Sequence, residues 1–150
     1  MARRFAIIVS RFNSEITSGL LAGAREALGE AGVPADHVEV FHVPGAFEIP
    51  LAAARAAESG RFAAVICLGC VIKGETMHFE YIAGAAADGI MRAGLDTGIP
   101  VAFGVLTALS DEQAQARSAP GPSNKGREAA LAALEMAALL PRLDAPRMES

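Results

Sequence analysis

The sequence has few aromatic residues, few cysteines and no long apolar run. Aromatics make up 5% of its 150 residues, tryptophan is absent and there are two cysteines. No apolar segment approaches the roughly 20 residues needed to cross a bilayer, so a membrane-spanning helix is not predicted. The net charge of −4 argues against a surface that binds the phosphate backbone of a nucleic acid. Small anionic ligands are compatible with this charge, because a few local cations suffice for them.

The two cysteines are too few for a zinc site. Cys67 and Cys70 form a C-x-x-C pair, a spacing found in metal and redox sites. Zinc would require two further ligands at matching spacing, and the sequence offers none. We therefore interpret Cys67 as a buried strand residue and predict neither a metal nor a redox cofactor.

The start of the chain resembles a secretory signal at first sight. Two arginines precede an apolar run, but that run is about six residues long before Arg11. The apolar region of a signal is typically about 7–15 residues long. We interpret this segment as the first strand of a cytoplasmic protein.

Apolar residues make up 52% of the chain and fall into four short runs that alternate with helical patterns. The runs are rich in valine and isoleucine and bounded by glycine or proline, as buried parallel strands are. The predicted strands are 5–10, 38–43, 63–68 and 100–106. Helices are predicted from about 16 to 31, 50 to 60, 77 to 93 and 125 to 140, with Pro141 ending the last. A capping box at 110–113 opens a short additional helix, and Asn124 caps the final one.

This alternation indicates an α/β protein with a flavodoxin-like three-layer α/β/α sandwich and a four-stranded parallel sheet. Residues 1–150 are predicted to form a single domain, with a core at about 5–140 and a loose tail at 141–150. In such a sheet every strand-to-helix loop lies at one edge, where ligands bind. We therefore expect segments 11–13, 44–48 and 70–78 to line one crevice.

The stretch 69–81 has the composition of an anion site. It runs from a strand end into a predicted helix and contains Gly74, Thr76 and His78. A helix N-terminus offers free N–H groups and the positive end of the helix dipole. His78, placed one turn into the helix, is the best candidate for a proton carrier. Glu75 suits a phosphate if its backbone N–H donates while its carboxylate points outward.

Two phenylalanines fall in the other loops of this edge. Phe12 and Phe47 could stack on a planar ring, or each could fold back onto the core. Asn13 and Glu48 could bond a polar ring edge, while Glu48 could equally serve as a charge at the start of a helix. In the loop at 113–126, the cations Arg117 and Lys125 could join the same edge or lie on a solvated surface.

These segments together resemble the lumazine synthase family, from about residue 5 to 140. The matching pieces occur in the family's order: Arg11-Phe-Asn13 with Ile16-Thr17, Val43-Pro-Gly-Ala-Phe-Glu-Ile-Pro50, Gly69-x-Val-Ile-x-Gly-x-Thr-x-His-Phe79, Pro100-Val-x-Phe-Gly104, and Arg117 with Asn124-Lys-Gly126. The resemblance implies condensation of 5-amino-6-(D-ribitylamino)uracil with 3,4-dihydroxy-2-butanone 4-phosphate in riboflavin biosynthesis, without a cofactor.

The resemblance also implies roles for individual residues. His78 is the catalytic acid/base. The pyrimidine and ribityl chain are assigned to Phe12, Ala46, Phe47, Glu48, Cys70, Val71, Ile72 and Phe103. The butanone phosphate is assigned to Glu75, Thr76 and Arg117. Supporting roles fall to Asn13, Gly74, Lys125 and Glu128.

In the family Phe103 and Arg117 come from the adjacent subunit, so the resemblance implies a homo-oligomer with sites at its interfaces. It implies a pentamer, allows a sixty-subunit shell, and admits riboflavin synthase as a partner. Cys70 departs from a position that is often threonine in the family. Three alternatives stay open: an archaeal-type riboflavin synthase, a non-catalytic flavin- or phosphate-binding module, and a cage-forming scaffold.

Overall fold

A computed structural model describes residues 3–146 and contains a sheet of four parallel strands. The strands are β1 (Phe5–Ser10), β2 (Val38–Val43), β3 (Ala64–Ile72) and β4 (Val101–Ala108). The helices are α1 (Ser14–Glu30), α2 (Ile49–Glu58), α3 (His78–Thr97), α4 (Asp111–Ser118) and α5 (Lys125–Asp144). Two short 3₁₀ turns lie at Ala35–His37 and Ala46–Glu48. The predicted α/β architecture is confirmed.

The strand order is β2-β1-β3-β4. The pairing runs from Phe5↔Val38 to Ser10↔Val43 on one flank of β1, and from Phe5↔Ala64 to Val9↔Leu68 on the other. All six residues of β1 are buried, as its continuous apolar sequence predicts. The expectation of full burial is wrong for β2 and β4, which lie at the edges of the sheet and contain exposed residues.

Helices cover both faces of the sheet, and alternate residues of each strand point to opposite layers. Phe5, Ile7 and Val9 belong to a core cluster shared with α1 and α5. Ala6 and Ile8 belong to a second cluster shared with α2 and α3. This two-layer burial supplies the main stabilisation of the domain.

Two elements at the centre of the molecule, β3 and α3, end later in the chain than predicted. Strand β3 continues to Ile72 instead of ending near residue 68, because β4 pairs with it up to Ile72↔Ala108. Helix α3 does not end at Gly94 but continues to Thr97, and Gly98 follows it in the left-handed conformation at φ 72°. Gly94 instead lies where the helix approaches Val101 of β4.

The C-terminal helix also runs further than expected. The prediction that Pro141 ends it is wrong, since α5 includes Pro141 and continues to Asp144. Proline removes one backbone donor from the helix, and here that loss falls within the last two turns. Residues 141–144 of the expected tail are therefore helical, and residues 147–150 lie outside the described part of the chain.

Both predicted caps are confirmed. The Ser110 hydroxyl accepts a hydrogen bond from the Gln113 N–H, and the Asn124 side chain accepts one from the Arg127 N–H. Of the helices in the described range, none combines the length and apolar character needed to traverse a bilayer.

Candidate active site

The carboxyl ends of β1 and β3 define the crevice of this fold. The chain leaves β1 toward β2 on one side, while β3 and β4 lie on the other. Ligands of open α/β sheets bind where the strand order changes direction in this way. The loops that follow β1, β2 and β3 meet here, as the sequence predicts.

The loop after β1 is held to both of its neighbours. The Arg11 N–H donates to the Val43 carbonyl at 2.8 Å, and the Phe12 N–H donates to the Pro44 carbonyl at 3.0 Å. On the other side, Asn13 Nδ2 donates to the Cys70 carbonyl at 3.1 Å. These bonds fix the backbone that carries Phe12.

A cavity of about 560 Å³ opens at this edge. Ten of the residues expected from the sequence line it, contributed by three separate loops and the end of β3. They are Phe12, Ala46, Phe47, Glu48, Cys70, Val71, Ile72, Gly74, Thr76 and His78. The expected convergence of these segments on one crevice is therefore observed.

The two loop phenylalanines present their rings to the opening. Phe12 is 70% exposed and Phe47 is 58% exposed. The alternative that they fold back onto the core is therefore wrong for both. Exposed rings at a ligand edge offer flat apolar area for stacking. Beside them, the Glu48 carboxylate accepts a hydrogen bond from the Gly45 N–H at 2.9 Å, which closes the short turn at the start of α2.

The extension of β3 beyond β1 exposes backbone groups to the cavity. Pairing with β1 ends at Leu68, while β3 continues to Ile72. The Lys73 N–H donates to Ala108 of β4, and the Cys70 carbonyl faces Asn13 on the opposite side. Since backbone groups two residues apart in a strand point the same way, the N–H and C=O of Ile72 also face the crevice.

The side chain of Cys70 has little to offer a ligand. It belongs to the core cluster beneath α1 and α5 and is buried. Burial, followed by the nearby Asp111 carboxylate, raises the pKa of this thiol to about 11. What Cys70 contributes to the cavity is therefore its backbone.

The segment between β3 and α3 lies open at the cavity mouth. Gly74, Glu75 and Thr76 are exposed, and Glu75 is not among the lining residues. The Thr76 hydroxyl accepts a hydrogen bond from the His78 N–H at 3.3 Å. His78 is the first residue of α3, so the expectation that it lies one turn into the helix is wrong. The imidazole is consequently next to the free N–H groups of the helix terminus.

Four expected site residues lie elsewhere in the chain. Phe103, Arg117 and Lys125 line a separate depression of about 300 Å³ along β4, and Lys125 Nζ lies 3.1 Å from the Glu128 carboxylate. The topological expectation that the loop at 113–126 joins the first cavity is wrong. Arg117 lies in the last turn of α4 and Lys125 is the first residue of α5, and both lie beside β4, which is an edge strand.

Two lining residues, Phe79 and Ile82, lie outside the segments that were expected to line the crevice, whereas Gly45 lies within the expected segment 44–48. Ile82 follows His78 by one helical turn and lies on the same side of α3. A helical period counted from His78 would have identified it.

The C-x-x-C pair forms no joint site. Cys67 belongs to the core cluster under α2 and α3, and Cys70 to the cluster under α1 and α5, so the thiols point to opposite faces of the sheet. The interpretation of Cys67 as a buried strand residue is confirmed. Within residues 3–146 no cluster of three histidine, cysteine or acidic side chains could hold a metal ion.

The fold and the cavity together define a class. This is a small flavodoxin-like α/β protein with a cavity at the carboxyl edge of its sheet, lined by aromatic rings, strand backbone and the start of a helix.

Comparison with known proteins narrows that class to one family. The family model described as 6,7-dimethyl-8-ribityllumazine synthase matches residues 2–141. The chain is 54% identical over 140 residues to the 6,7-dimethyl-8-ribityllumazine synthase 1 of Caulobacter vibrioides, covering 93% of this chain and 92% of the relative. It is 51% identical to the 6,7-dimethyl-8-ribityllumazine synthase of Salinibacter ruber, covering 94% and 90%. The chain belongs to the 6,7-dimethyl-8-ribityllumazine synthase family.

Proposed function

We propose that this chain is an enzyme of riboflavin biosynthesis that condenses 5-amino-6-(D-ribitylamino)uracil with 3,4-dihydroxy-2-butanone 4-phosphate. The product is 6,7-dimethyl-8-(D-ribityl)lumazine, and phosphate and water leave. The observation that carries this proposal is the cavity itself, in which two exposed phenylalanines and a histidine at a helix N-terminus come together in a chain of this family.

The diaminouracil occupies the side of the cavity formed by the first two loops. Phe12 stacks on the pyrimidine, since its ring is exposed at the opening and the bonds around it fix the backbone that carries it. Ala46, Phe47 and Glu48 line the ring and the ribityl chain. The extended end of β3 supplies N–H and C=O groups for the polar edge of the ring.

The butanone phosphate binds at the start of α3. The first N–H groups of this 20-residue helix are directed toward the segment that contains Gly74, Glu75 and Thr76. The backbone and hydroxyl of these residues suit an anion, while the exposed Glu75 carboxylate can point away from it. The helix dipole adds to the attraction.

His78 transfers protons during the condensation. The 5-amino group of the uracil attacks the ketone carbon, and water departs to leave an imine. Loss of a proton from the neighbouring carbon lets the C–O bond to phosphate break, and a proton added to the terminal CH₂ gives a methyl ketone beside the imine. The ribitylamino nitrogen then attacks this ketone, and a second water departs as the ring closes. Each of these steps moves a proton near the start of α3, where the imidazole lies. General acid–base assistance of this kind is worth about 10²–10⁴-fold in rate. The remaining rate acceleration comes from holding the two reactants close together in a reactive orientation.

A second subunit completes the site. Phe103, Arg117 and Lys125 form a half-site of their own along the open side of β4, and they reach the cavity of a neighbouring copy. Two observations support this. Phe103 is 49% exposed, and exposed apolar side chains such as Met91, Leu95 and Met136 surround it. A patch of this kind is typical of a surface buried against another chain. Arg117 then binds the phosphate with a bidentate contact.

The assembly is a homo-oligomer built of pentamers, which can stack into a sixty-subunit shell. The chain forms a single domain and works in the cytoplasm, and riboflavin synthase, which uses the lumazine, is a further partner. These statements rest on family membership and on the exposed apolar surface around β4.

The reaction is tested by mixing the protein with both substrates and recording the absorbance of the lumazine. His78→Ala should reduce turnover by about 10²–10⁴-fold without abolishing it, whereas Arg117→Ala should largely abolish use of the phosphate substrate. Suitable controls are His42→Ala and Arg25→Ala, which remove exposed side chains of the same types outside both depressions. Neither control should change the rate.

The same assay separates the alternatives. Formation of riboflavin from the lumazine alone, without butanone phosphate, would indicate a riboflavin synthase. No turnover of either kind would leave a binding module or a scaffold. An unimpaired Arg117→Ala enzyme would contradict the proposal that Arg117 binds the phosphate. It would not contradict the proposed reaction.

A further inference from the structure

One buried amide joins three elements beside the second half-site. Asn124 immediately precedes α5 and is 1% exposed. Its Nδ2 donates to the carbonyl oxygens of Gly19 at 3.1 Å, Ser118 at 2.9 Å and Ala119 at 3.1 Å. Its Oδ1 accepts from the Arg127 N–H at 3.0 Å. The side chain therefore links α1, the end of α4 and the start of α5.

The surroundings of Asn124 leave room for this side chain. A Cβ placed at Gly23 of α1 would overlap the Asn124 amide, and one placed at Gly126 of α5 would overlap the Leu20 carbonyl. The missing side chains let the two helices approach closely around the amide. An amide nitrogen has two hydrogens, so the three carbonyls share them. A group that lacks a donor cannot satisfy this position.

The two cations of the half-site lie directly on either side of this linkage. Arg117 is the residue before Ser118, whose carbonyl accepts from Asn124, and Lys125 is the residue after Asn124. Both side chains line the depression along β4. Between the end of α4 and the start of α5, residues 119–123 form a largely exposed loop of alanine, proline, glycine and serine. Asn124 is the buried polar anchor that the described structure gives this loop.

We propose that Asn124 is the positioning residue of this half-site. It fixes the distance and direction between Arg117 and Lys125, and through them the affinity of the neighbouring cavity for butanone phosphate. The inference rests on the proposed function of the two cations. A helix cap alone would stabilise the fold without favouring either substrate.

Two substitutions test the role of the donor. Asn124→Asp has the same shape and keeps the oxygen that caps α5, but it places a second oxygen against three carbonyls. Asn124→Ser also keeps a capping oxygen and introduces no charge, but its shorter side chain has one hydroxyl hydrogen in place of the two amide hydrogens that the three carbonyls share. In both, KM for the butanone phosphate should rise by about tenfold or more, because a displaced Arg117 loses its bidentate contact with the phosphate. KM for the diaminouracil should stay within about twofold.

Arg127→Gln is the matched control. Its guanidinium contacts the Glu30 carboxylate at 2.9 and 3.0 Å and thereby holds α5 to α1 outside the amide linkage. This variant should lower the melting temperature and leave both KM values unchanged. A second readout is the double variant Lys125→Ala/Asn124→Ser, which keeps Arg117. If Asn124 acts by placing Lys125 relative to Arg117, the serine substitution should raise KM less in the Lys125→Ala background than alone.

The possible outcomes are distinct. An Asn124→Ser protein that folds and assembles with unchanged KM for the butanone phosphate would overturn the inference, and so would an equal rise in both KM values. If Asn124→Asp fails to fold, the serine variant decides. If Arg117→Ala and Lys125→Ala leave KM unchanged, the proposed function of the cations fails, whatever Asn124 does.

Discussion

Asn13 shows how one residue can set the geometry of a whole loop. It adopts the left-handed conformation at φ 61° and ψ 50°, which is unusual for a residue with a side chain. Asparagine tolerates this region better than most residues. Its side chain then donates to the Cys70 carbonyl. The expectation that Asn13 binds the ring of a ligand remains a prediction, whereas its contact across to β3 is part of the fold.

We predict that Asn13→Asp impairs the enzyme more than Asn13→Gly. Glycine adopts the left-handed conformation without strain and loses only the donor, whereas aspartate directs a carboxylate at the Cys70 carbonyl. KM for the diaminouracil should rise in the order wild type, Asn13→Gly, Asn13→Asp, with a smaller change for the butanone phosphate. Steady-state titration of each substrate measures this. Equal constants for all three proteins would show that the contact does not position Phe12.

The buried thiols give a prediction about pH. Burial raises the pKa of Cys67, and burial together with Asp111 raises the pKa of Cys70 from 9.0 to about 11. Neither thiol should react with a thiol reagent at pH 8 until the protein is unfolded. A raised folded pKa means that the stability contribution is complete below about pH 9 and is lost as the pH rises toward 11. Urea midpoints should therefore fall above pH 9, less steeply in Cys70→Ala. Rapid labelling of the folded protein at pH 8 would contradict this view.

Among the helices, the closest approach is between α1 and α5, and glycine makes it possible. A Cβ at Gly126 would overlap the Leu20 carbonyl, and one at Gly104 would lie 2.8 Å from the Cys67 carbonyl and 2.9 Å from Ala129. The small residues of α5 therefore let it lie close to both α1 and β4. This packing is what brings the start of α5 next to the outer side of the sheet.

Two glycine-to-alanine substitutions should have opposite effects. Gly126→Ala overpacks the helix crossing and should cost about 1–3 kcal/mol. Gly29→Ala lies in α1 with nothing within 4 Å of the added Cβ and should stabilise by about 0.4–1 kcal/mol. Melting temperatures at one protein concentration provide the comparison. A Gly126→Ala protein as stable as the wild type would mean that the crossing relaxes freely.

Local patterns predict the elements well and their ends less well. Apolar runs located all four strands, and the cap signals at Ser110 and Asn124 were correct. The wrongly predicted ends are those set by contacts with elements that are distant in the sequence. Nothing local tells Gly94 from Gly98 as a helix end, since the difference is the contact of Gly94 with β4. Similarly, β3 extends to Ile72 because β4 pairs with it there.

The cavity was predictable because strand-end loops share one edge, and this grouped Phe12, Phe47 and His78 correctly. The position of Arg117 could not be predicted from topology, because this position depends on which side of β4 the chain passes on its way to α5. The family resemblance, which gives Arg117 to an adjacent subunit, agrees with its separation from the cavity in one chain.

At the scale of the whole molecule, one chain presents the predicted site residues in two separate depressions. The cavity with His78 lies at the β1–β3 crevice, and the depression with Arg117 lies along β4. If the proposed assembly is correct, each complete site takes its imidazole from one subunit and its guanidinium from the next. A chain would then belong to two sites at once.

This arrangement predicts complementation between two impaired variants. When His78→Ala and Arg117→Ala chains are coexpressed in equal amounts, about one quarter of the sites should combine an intact His78 with an intact Arg117. Activity should then exceed the sum of the separate variants and approach about a quarter of the wild-type rate. Purified variants mixed without exchange of subunits serve as the control. Coexpressed protein with no gain in activity would place both residues in a site made by a single chain.

The extension of β3 past β1 also has an evolutionary consequence. Between residues 69 and 72 the strand presents main-chain donors and acceptors to the crevice, and these are the same whatever side chain each position bears. A substrate contact made by main-chain groups does not depend on the side chain at that position, provided that the strand stays paired with β4. The Cys70 side chain illustrates this separation, because it is buried in the core cluster under α1 and α5 while its backbone lines the crevice. Selection at position 70 would therefore act on how well the side chain packs in the core. The residue at this position could change during evolution without changing which substrate is bound.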